Sequence, residues 1–368
     1  MSRLITSAER SMGAVVPAIP IVDVGDGGPL RHAALSRARA RVLRDECLTV
    51  FPCAVKPLLP ALDSAARRWL TRSCSPYVPE IAQIVATLGF PGVWLLNNSY
   101  QWGCTSLARE EDGVPWLART LDWLFPGLGR HAELMRAEAP CGGYFSVTWP
   151  GYAGVLTAMA PRRFAACLNQ APMWRRTRHP WLPIYDLAAN ALHTWVNVRH
   201  MPPDQLLRQV FETCATYAAA KSVLEATPVA RPVIYMLVGC EPGERCVIER
   251  TENGFVTREN GTSAANDWVP GRPMWEARIA ATRFLTCSSA EAAAASRARH
   301  DALAGWGGLL SRGGFEWVKP PVLNPYTRLA VTMSPARSIL RVAGYEMTTA
   351  GLPDRVTQTR EVRPVACF

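Results

Sequence analysis

Between Gly103 and Trp123 two apolar runs meet at a charged tip, and a chain written this way folds back on itself. Residues 104–108 and 116–123 flank Arg109-Glu110-Glu111-Asp112-Gly113, and an Asp-Gly pair between strand-forming residues is a strong two-residue turn signal. The spacing predicts a β-hairpin with Asp112-Gly113 at its tip. Further strand patterns occupy Tyr144–Trp149, Val155–Met159, Arg163–Leu168, Val233–Val238, Cys246–Glu249, Phe255–Thr257, Arg328–Met333 and Ser338–Val342. Residues 1 to about 90 read as helix and turn. Helical spacing returns after Pro203-Asp204, at Tyr217–Leu224, Ala277–Leu285 and Ser289–Leu303. Strand clusters separated by helix pairs predict an α+β fold, with two antiparallel sheets stacked between helical layers.

Composition sets outer limits. With 368 residues, 49% hydrophobic and 19% charged, the chain can bury a large core and is not of the disordered class. The nearest approach to a bilayer span, Met12–Val24, is broken by Pro17 and Pro20, so neither an integral membrane segment nor a secretory signal is expected. A net charge of +10 raises nucleic acid as a partner. Only Lys56, Lys221 and Lys319 are lysines, however, and the arginines are spread along the whole chain, so no nucleic-acid partner is expected. One local group, Arg37, Arg39, Arg41 and Arg44, is spaced to wrap around a helix as a solvated face. The 11 cysteines are scattered, with no CxxC pair. That spacing excludes a zinc ribbon, and with no export signal the reading is reduced thiols in a cytoplasmic protein. His193 and His200 are seven apart and no HExxH occurs, so neither a metal nor another cofactor is expected.

The hairpin also carries the chemistry. A reactive thiol needs a base, an orienting group and something electropositive to favour the thiolate. If Cys104 begins one strand while Arg119 and Asp122 lie on the returning one, the fold-back sets a guanidinium and a carboxylate beside the sulfur. Taken singly, each residue has a plainer reading: Cys104 as one inert thiol among eleven, Arg119 and Asp122 as a surface ion pair, Asn169 and Asn266 as turn residues.

The order of blocks lifts them out of isolation. Gly103-Cys104-Thr105-Ser106 is followed by Arg119-Thr120-Leu121-Asp122-Trp123. Then come Gly151-Tyr152-Ala153-Gly154-Val155-Leu156-Thr157, Leu168-Asn169-Gln170, the paired runs 232–239 and 243–250, and Asn266-Asp267-Trp268 ahead of Arg278. Over residues 95 to 345 this order resembles the cysteine-type N-terminal-nucleophile hydrolases, the group of acid ceramidase, N-acylethanolamine acid amidase, choloylglycine hydrolases and isopenicillin-N acyltransferases. The resemblance implies an αββα sandwich and cleavage by the protein itself at Gly103–Cys104. A helical small chain, 1–103, would then accompany a catalytic domain, 104–368.

By the same resemblance Cys104 is the nucleophile and its freed α-amino group the base, titrating near 7.7–8 in the ordinary case. Arg119 would stabilise the thiolate and Asp122 would hold the α-ammonium. Asn266, with Asn169 or its neighbour, would donate to the oxyanion, and Arg278 would brace the site or contact substrate, a role for which Arg272 and Arg283 compete. Gln170 stands where the lysosomal amidases have Glu, so their acidic optimum is not carried over and the pH dependence is left open.

The implied substrate is a small N-acyl amide: an N-acyl amine or N-acyl amino acid opened through a Cys104 thioester. Acyl transfer by the same nucleophile and a non-catalytic binding protein of the same fold remain as alternatives, and oligomeric state is left open. Trp116, Trp123, Trp149, Trp174, Trp181 and Trp195 are candidates to line an acyl pocket. The Pro172–Tyr185 segment, aromatic and basic, is the expected substrate-facing loop.

Overall fold

The computed structural model of the protein describes residues 16–54, 56–99, 103–177, 183–259, 262–276, 288–348 and 351–363. The chain enters through β1 (Ile21–Gly25), α1 (Gly28–Leu35), α2 (Arg37–Cys47), α3 (Leu59–Arg72), α4 (Val78–Leu88) and the single turn α5 (Val93–Leu96). The hairpin β2 (Gly103–Glu111) and β3 (Val114–Asp122) follows, then β4 (Glu133–Ala137), β5 (Tyr144–Thr148), β6 (Thr157–Ala160), β7 (Phe164–Gln170) and β8 (Met173–Trp174). Helices α6 (Pro183–Asn197), α7 (Pro203–Thr213) and α8 (Tyr217–Ala226) lead into β9 (Val233–Val238), β10 (Arg245–Arg250), β11 (Phe255–Arg258), β12 (Ser263–Ala264) and β13 (Trp275–Glu276). After α9 (Ser289–Ala304) the chain closes with β14 (Thr327–Ser334), β15 (Ile339–Met347), β16 (Pro353–Arg355) and β17 (Arg360–Val362).

Local chemistry accounts for the boundaries. The hairpin turn sits at Asp112-Gly113 with Glu111 opposite Val114, and both turn residues have positive φ, 52° and 74°. That is the two-residue turn whose twist matches antiparallel strands. Helix α4 buries Ile81, Ile84 and Leu88 at helical spacing and stops at Gly89, left-handed at φ 69°. Helix α9 opens on a reciprocal capping box between Ser288 and Glu291.

Among the described residues the strands form two large sheets. One runs β1-β4-β5-β6-β7-β9-β10-β11, antiparallel except where β1 pairs parallel with β4; the other runs β12-β2-β3-β14-β15-β16, with β17 also on β15. Alternation along β3 shows how they stack. Leu117 and Leu121 join a core shared with Cys167, Leu168, Met236 and Leu237 of the first sheet, whereas Trp116 and Ala118 join a second core with Leu303 of α9. On the far side of the first sheet, Phe211 of α7 lies against Tyr144 and Phe164, and α8 lies along β9 and β10. The layers are therefore helix, sheet, sheet, helix, as the strand and helix pattern predicts.

Strand β1 departs from the reading of residues 1–90 as helix and turn. Its partner β4 lies more than a hundred residues downstream, and a parallel pairing of that kind leaves no local signature. The same leading segment is tied inward by polar groups. His32 of α1 and Ser36 bond the buried Glu133 of β4 at 2.6 and 2.7 Å, and Arg39 of the arginine group adds a third contact at 2.5 Å. The predicted helix Ala277–Leu285 lies outside the described residues.

Candidate active site

Strand register decides which side chains meet. Cys104 faces Leu121 and Ser106 faces Arg119, so Cys104 and Arg119 project from the same face of the ribbon as diagonal neighbours. That face is the interior between the sheets. Arg119 Nη2 lies 2.7 Å from Cys104 Sγ, and Nη1 donates to the Leu156 carbonyl at 2.8 Å and to Thr157 Oγ1. Both residues are fully buried. Among the described residues Arg119 has no carboxylate in ion-pair contact, so the sulfur is the group placed to become its counter-ion. Burial pushes the Cys104 thiol up to about 12, against the pull of Arg119. In the unbroken chain the sulfur is therefore a thiol.

Asp122 occupies the opposite face. It pairs with Gly103, and its carboxylate accepts from Asn324 Nδ2 at 2.7 Å and Thr327 Oγ1 at 2.9 Å. Burial raises its pKa, and the charge of Arg299 is the largest force opposing that rise. The fold-back thus brings the guanidinium to the sulfur as expected, while the carboxylate stands beside Gly103 on the other side of the peptide bond that precedes Cys104.

Asn266 meets this peptide bond from a third direction. Its Oδ1 accepts from the Cys104 backbone nitrogen at 3.1 Å and its Nδ2 donates to the Gln170 carbonyl at 2.9 Å. Asn169 is placed differently. Its Nδ2 donates to Ser106 Oγ, Ala264 O and Ala265 O at 2.9, 3.1 and 3.2 Å, tying β7 to β2 and β12 and leaving no amide hydrogen for an oxyanion. Of the expected oxyanion pair, Asn266 is the one that touches the Cys104 backbone nitrogen. Arg278 lies outside the described residues. Its competitor Arg272 bonds the buried Glu249 at 2.8 Å and lies over Trp268, away from Cys104's own partners.

Four partners escaped sequence reasoning: Ser296 and Arg299 of α9, Asn324 and Thr327. The i, i+3 spacing of Ser296 and Arg299 places them on one helical face, but nothing local says that this face covers β2.

A cavity of about 740 Å³ opens at the edge of the sandwich where β3 ends and β9 begins. Trp123, Phe125, Trp174, Trp195 and Trp275 line it, with Arg176, Arg231, His193 and Glu252 as its charged or titratable members. Trp174 packs edge-on to Trp275 at 5.3 Å, and their two strands pair as a small separate ribbon. The Pro172–Tyr185 segment accordingly contributes Trp174 and Arg176 to the wall. Trp116 and Trp149 are core, and Trp181 lies outside the described residues. Among the described residues no group of His, Cys, Asp and Glu is arranged to hold a metal ion, and no helix is long and apolar enough to cross a membrane.

No protein-family model matches the chain. Curated relatives do. Over 232 residues it is 25% identical to the N-acylethanolamine-hydrolyzing acid amidase of Oryctolagus cuniculus, covering 61% of this chain and 60% of that protein. Over 187 residues it is 26% identical to the protein of the same description from Mus musculus, covering 49% and 48%. The match thus spans about half to three fifths of these relatives' length. Among solved structures, a Caenorhabditis elegans N-acylethanolamine-hydrolyzing acid amidase ortholog gives a TM-score of 0.45 at 18% identity, over 63% of this chain and 93% of that one. A mutant conjugated bile acid hydrolase from Clostridium perfringens gives 0.39 at 11% identity, over 71% and 92%. Direct comparison therefore finds the resemblance that the ordered motifs carry.

Proposed function

We propose that the protein hydrolyses a linear carboxamide through a thioester on Cys104, after breaking its own Gly103–Cys104 bond. The observation that carries this reading is the meeting of three groups at one peptide bond: Arg119 on the sulfur, Asn266 on the nitrogen, and Asp122 beside Gly103. The curated relatives are named as amide-hydrolysing enzymes, which fits the same chemistry.

The steps follow from that placement. In self-cleavage the Cys104 sulfur attacks the Gly103 carbonyl carbon, the C–N bond breaks, and the thiol proton passes to the departing nitrogen. Water then opens the resulting thioester, leaving a Gly103 carboxylate and a free amine on Cys104. In turnover the same amine takes the thiol proton as the sulfur attacks the substrate carbonyl, and returns it to the leaving amine. Arg119 favours the developing thiolate, Asp122 holds the amine when it carries the proton, and an Asn266 N–H faces the oxyanion, where one donor is typically worth about 10²–10³ in rate. Water releases the acid and restores the thiol.

The aromatic cavity suits an apolar acyl chain, and Arg176 would meet an acidic group at its far end. Gln170 in place of Glu removes a carboxylate from this neighbourhood, so the optimum is placed near neutrality.

Full burial of Sγ favours one second reading, a binding protein that keeps the fold uncleaved and uses the cavity alone. Intact mass spectrometry separates the two. Cleavage ahead of Cys104 in the wild type, absent from Cys104→Ala, followed by release of free acid from a panel of N-acyl amides, supports the amidase. An unbroken wild-type chain inert toward the panel removes it. Free acid, rather than a condensed product when a second amine is supplied, separates hydrolysis from acyl transfer.

A further inference from the structure

We propose that Arg299 of α9 is a positioning residue that keeps the Cys104 α-amine unprotonated, by sharing the Asn266 side-chain oxygen with it. The inference rests on the self-cleavage reading above.

The geometry is specific. Asn266 Oδ1 accepts from Cys104 N at 3.1 Å and from Arg299 Nη2 at 2.7 Å, so the nitrogen that becomes the base and a permanent cation are bridged by one oxygen atom. Arg299 Nε also donates to Thr105 Oγ1 at 3.1 Å, which pins the guanidinium to the residue after the nucleophile. One helical turn earlier, Ser296 Oγ accepts the Asn266 backbone N–H at 3.0 Å. The same face of α9 therefore grips Asn266 at both backbone and side chain, and turns its oxygen toward β2.

A cation at this separation disfavours a second positive charge on the amine. Opposing it is Asp122, whose carboxylate stabilises an ammonium. The other groups facing this point are Arg119 of β3 and Cys167 of β7 on the sheet interior, and Asp267 beside Asn266, itself drawn toward Arg297 and Arg299. With Arg119 engaged by the thiol, Arg299 is the cation bridged to the nitrogen. Burial raises the Asp122 pKa and the Arg299 charge opposes that rise, so one residue favours both a charged carboxylate and a neutral amine, the combination a general base near pH 7 requires.

The test begins with wild-type protein shown by intact mass to be cleaved ahead of Cys104; failure there removes the parent reading and is distinct from any change in the pH profile. On cleaved protein the pH–rate profile for an N-acyl amide is measured for wild type, Arg299→Gln and Arg299→Lys. In parallel, labelling of the Cys104 α-amine by an acylating reagent is read by peptide mass across pH. Gln keeps a donor to Asn266 and loses the charge, whereas Lys keeps the charge. The expected result is an acidic limb and labelling midpoint moved up by about one pH unit in Arg299→Gln, and unmoved in Arg299→Lys. If Arg299→Gln fails to cleave itself while Arg299→Lys cleaves with the wild-type profile, the charge is again what matters. Equal profiles for all three, equal shifts in both variants, or loss of fold in both would overturn the proposal and leave Arg299 a purely structural clamp.

Discussion

Gly103 faces Asp122 across the open end of the hairpin so closely that a Cβ on the glycine would lie 3.2 Å from the aspartate Cβ and 3.5 Å from Oδ2. Glycine here is a matter of space rather than of backbone conformation. An alanine must push the aspartate by a few tenths of an ångström, and a branched side chain by more. A misplacement of about 1 Å at a reacting bond can cost about a hundredfold in rate, and a few tenths proportionately less. Gly103→Ala is therefore expected to slow cleavage several-fold and Gly103→Val at least about tenfold. Both should keep the wild-type melting temperature, because the fold does not need this bond broken. Time-resolved intact mass beside thermal melting checks both parts, and a Gly103→Val chain that cleaves at the wild-type rate would contradict the steric argument.

Arg119 is buried with the Cys104 sulfur as its nearest prospective anion. Replacing it with Met removes the force opposing the burial that holds the thiol at about 12, so the thiolate becomes scarcer still. It also strips a donor from Leu156 O and Thr157 Oγ1, each such buried loss costing about 1–3 kcal/mol. Cleavage and turnover are expected to fall by about 10² or more, with a lower melting temperature. Arg119→Lys keeps the charge but not the fork, and should recover stability less than it recovers thiol alkylation at alkaline pH.

Asn169 and Asn266 part company in the same way. Asn169 spends its amide hydrogens on Ser106 and two carbonyls of the facing sheet, so Asn169→Ala should appear chiefly as a stability loss of about 1–3 kcal/mol, with cleavage surviving in the folded fraction. Asn266→Ala removes the contact to the Cys104 nitrogen and the bridge to Arg299. It should leave the folded chain uncut, with a stability loss similar to that of Asn169→Ala because Gln170 O also loses its donor. The reverse pattern would assign the oxyanion role to Asn169.

Much of this was legible in the sequence because it is local. The Asp112-Gly113 turn fixes the register of a nine-residue pair of strands, and that register alone puts Arg119 diagonal to Cys104. What stayed hidden is non-local. Parity sends Asp122 to the face opposite the sulfur, which spacing along the hairpin shows only once the register is fixed. Asn324, Thr327 and Arg299 arrive from more than 170 residues downstream. That the Asn169 amide would meet three acceptors on the second sheet is equally non-local. The cavity is assembled from short, distant pieces, of which Trp123, Trp174 and Trp195 could be nominated while Trp69 and Trp275 carried no signal beyond being aromatic.

Glu133 links the segment ahead of Cys104 to the first sheet. Its carboxylate holds His32, Ser36 and Arg39, and although burial pushes its pKa up, these partners together leave it below the ordinary glutamate range. A carboxyl with a lowered folded-state pKa contributes stability that is present above the unfolded value, about 4.3, and is lost as pH falls through the folded one. Melting temperature should therefore drop as pH falls from about 5 toward 3, and after cleavage the small chain should separate most readily in that range. Glu133→Gln is expected to be less stable at pH 7, by about 3–5 kcal/mol for a broken buried pair, with a flatter acid dependence. Melting curves from pH 7 to pH 3 for both proteins check the sign; parallel curves would show that some other carboxylate governs acid unfolding.

Trp174 stands 42% exposed on the two-residue ribbon at the cavity wall, edge-on to Trp275. An exposed indole contributes little to folding, so what it offers is surface for a bound apolar chain. If the acyl group lies against it, the contact is made equally in ground and transition states, and its loss falls on KM rather than kcat. Trp174→Ala is expected to raise KM about tenfold for long-chain amides, or about 1.4 kcal/mol, to change it little for short ones, and to leave self-cleavage intact because the ribbon touches neither Cys104 nor Asn266. Trp123 also lines the cavity but follows Asp122 directly and packs edge-on to Trp149 at 5.8 Å. Trp123→Ala should therefore lower stability and cleavage together, and it serves as the contrast. A Trp174→Ala enzyme with an unchanged preference for chain length would place the acyl group elsewhere in the cavity, against Trp195 and the α6 side.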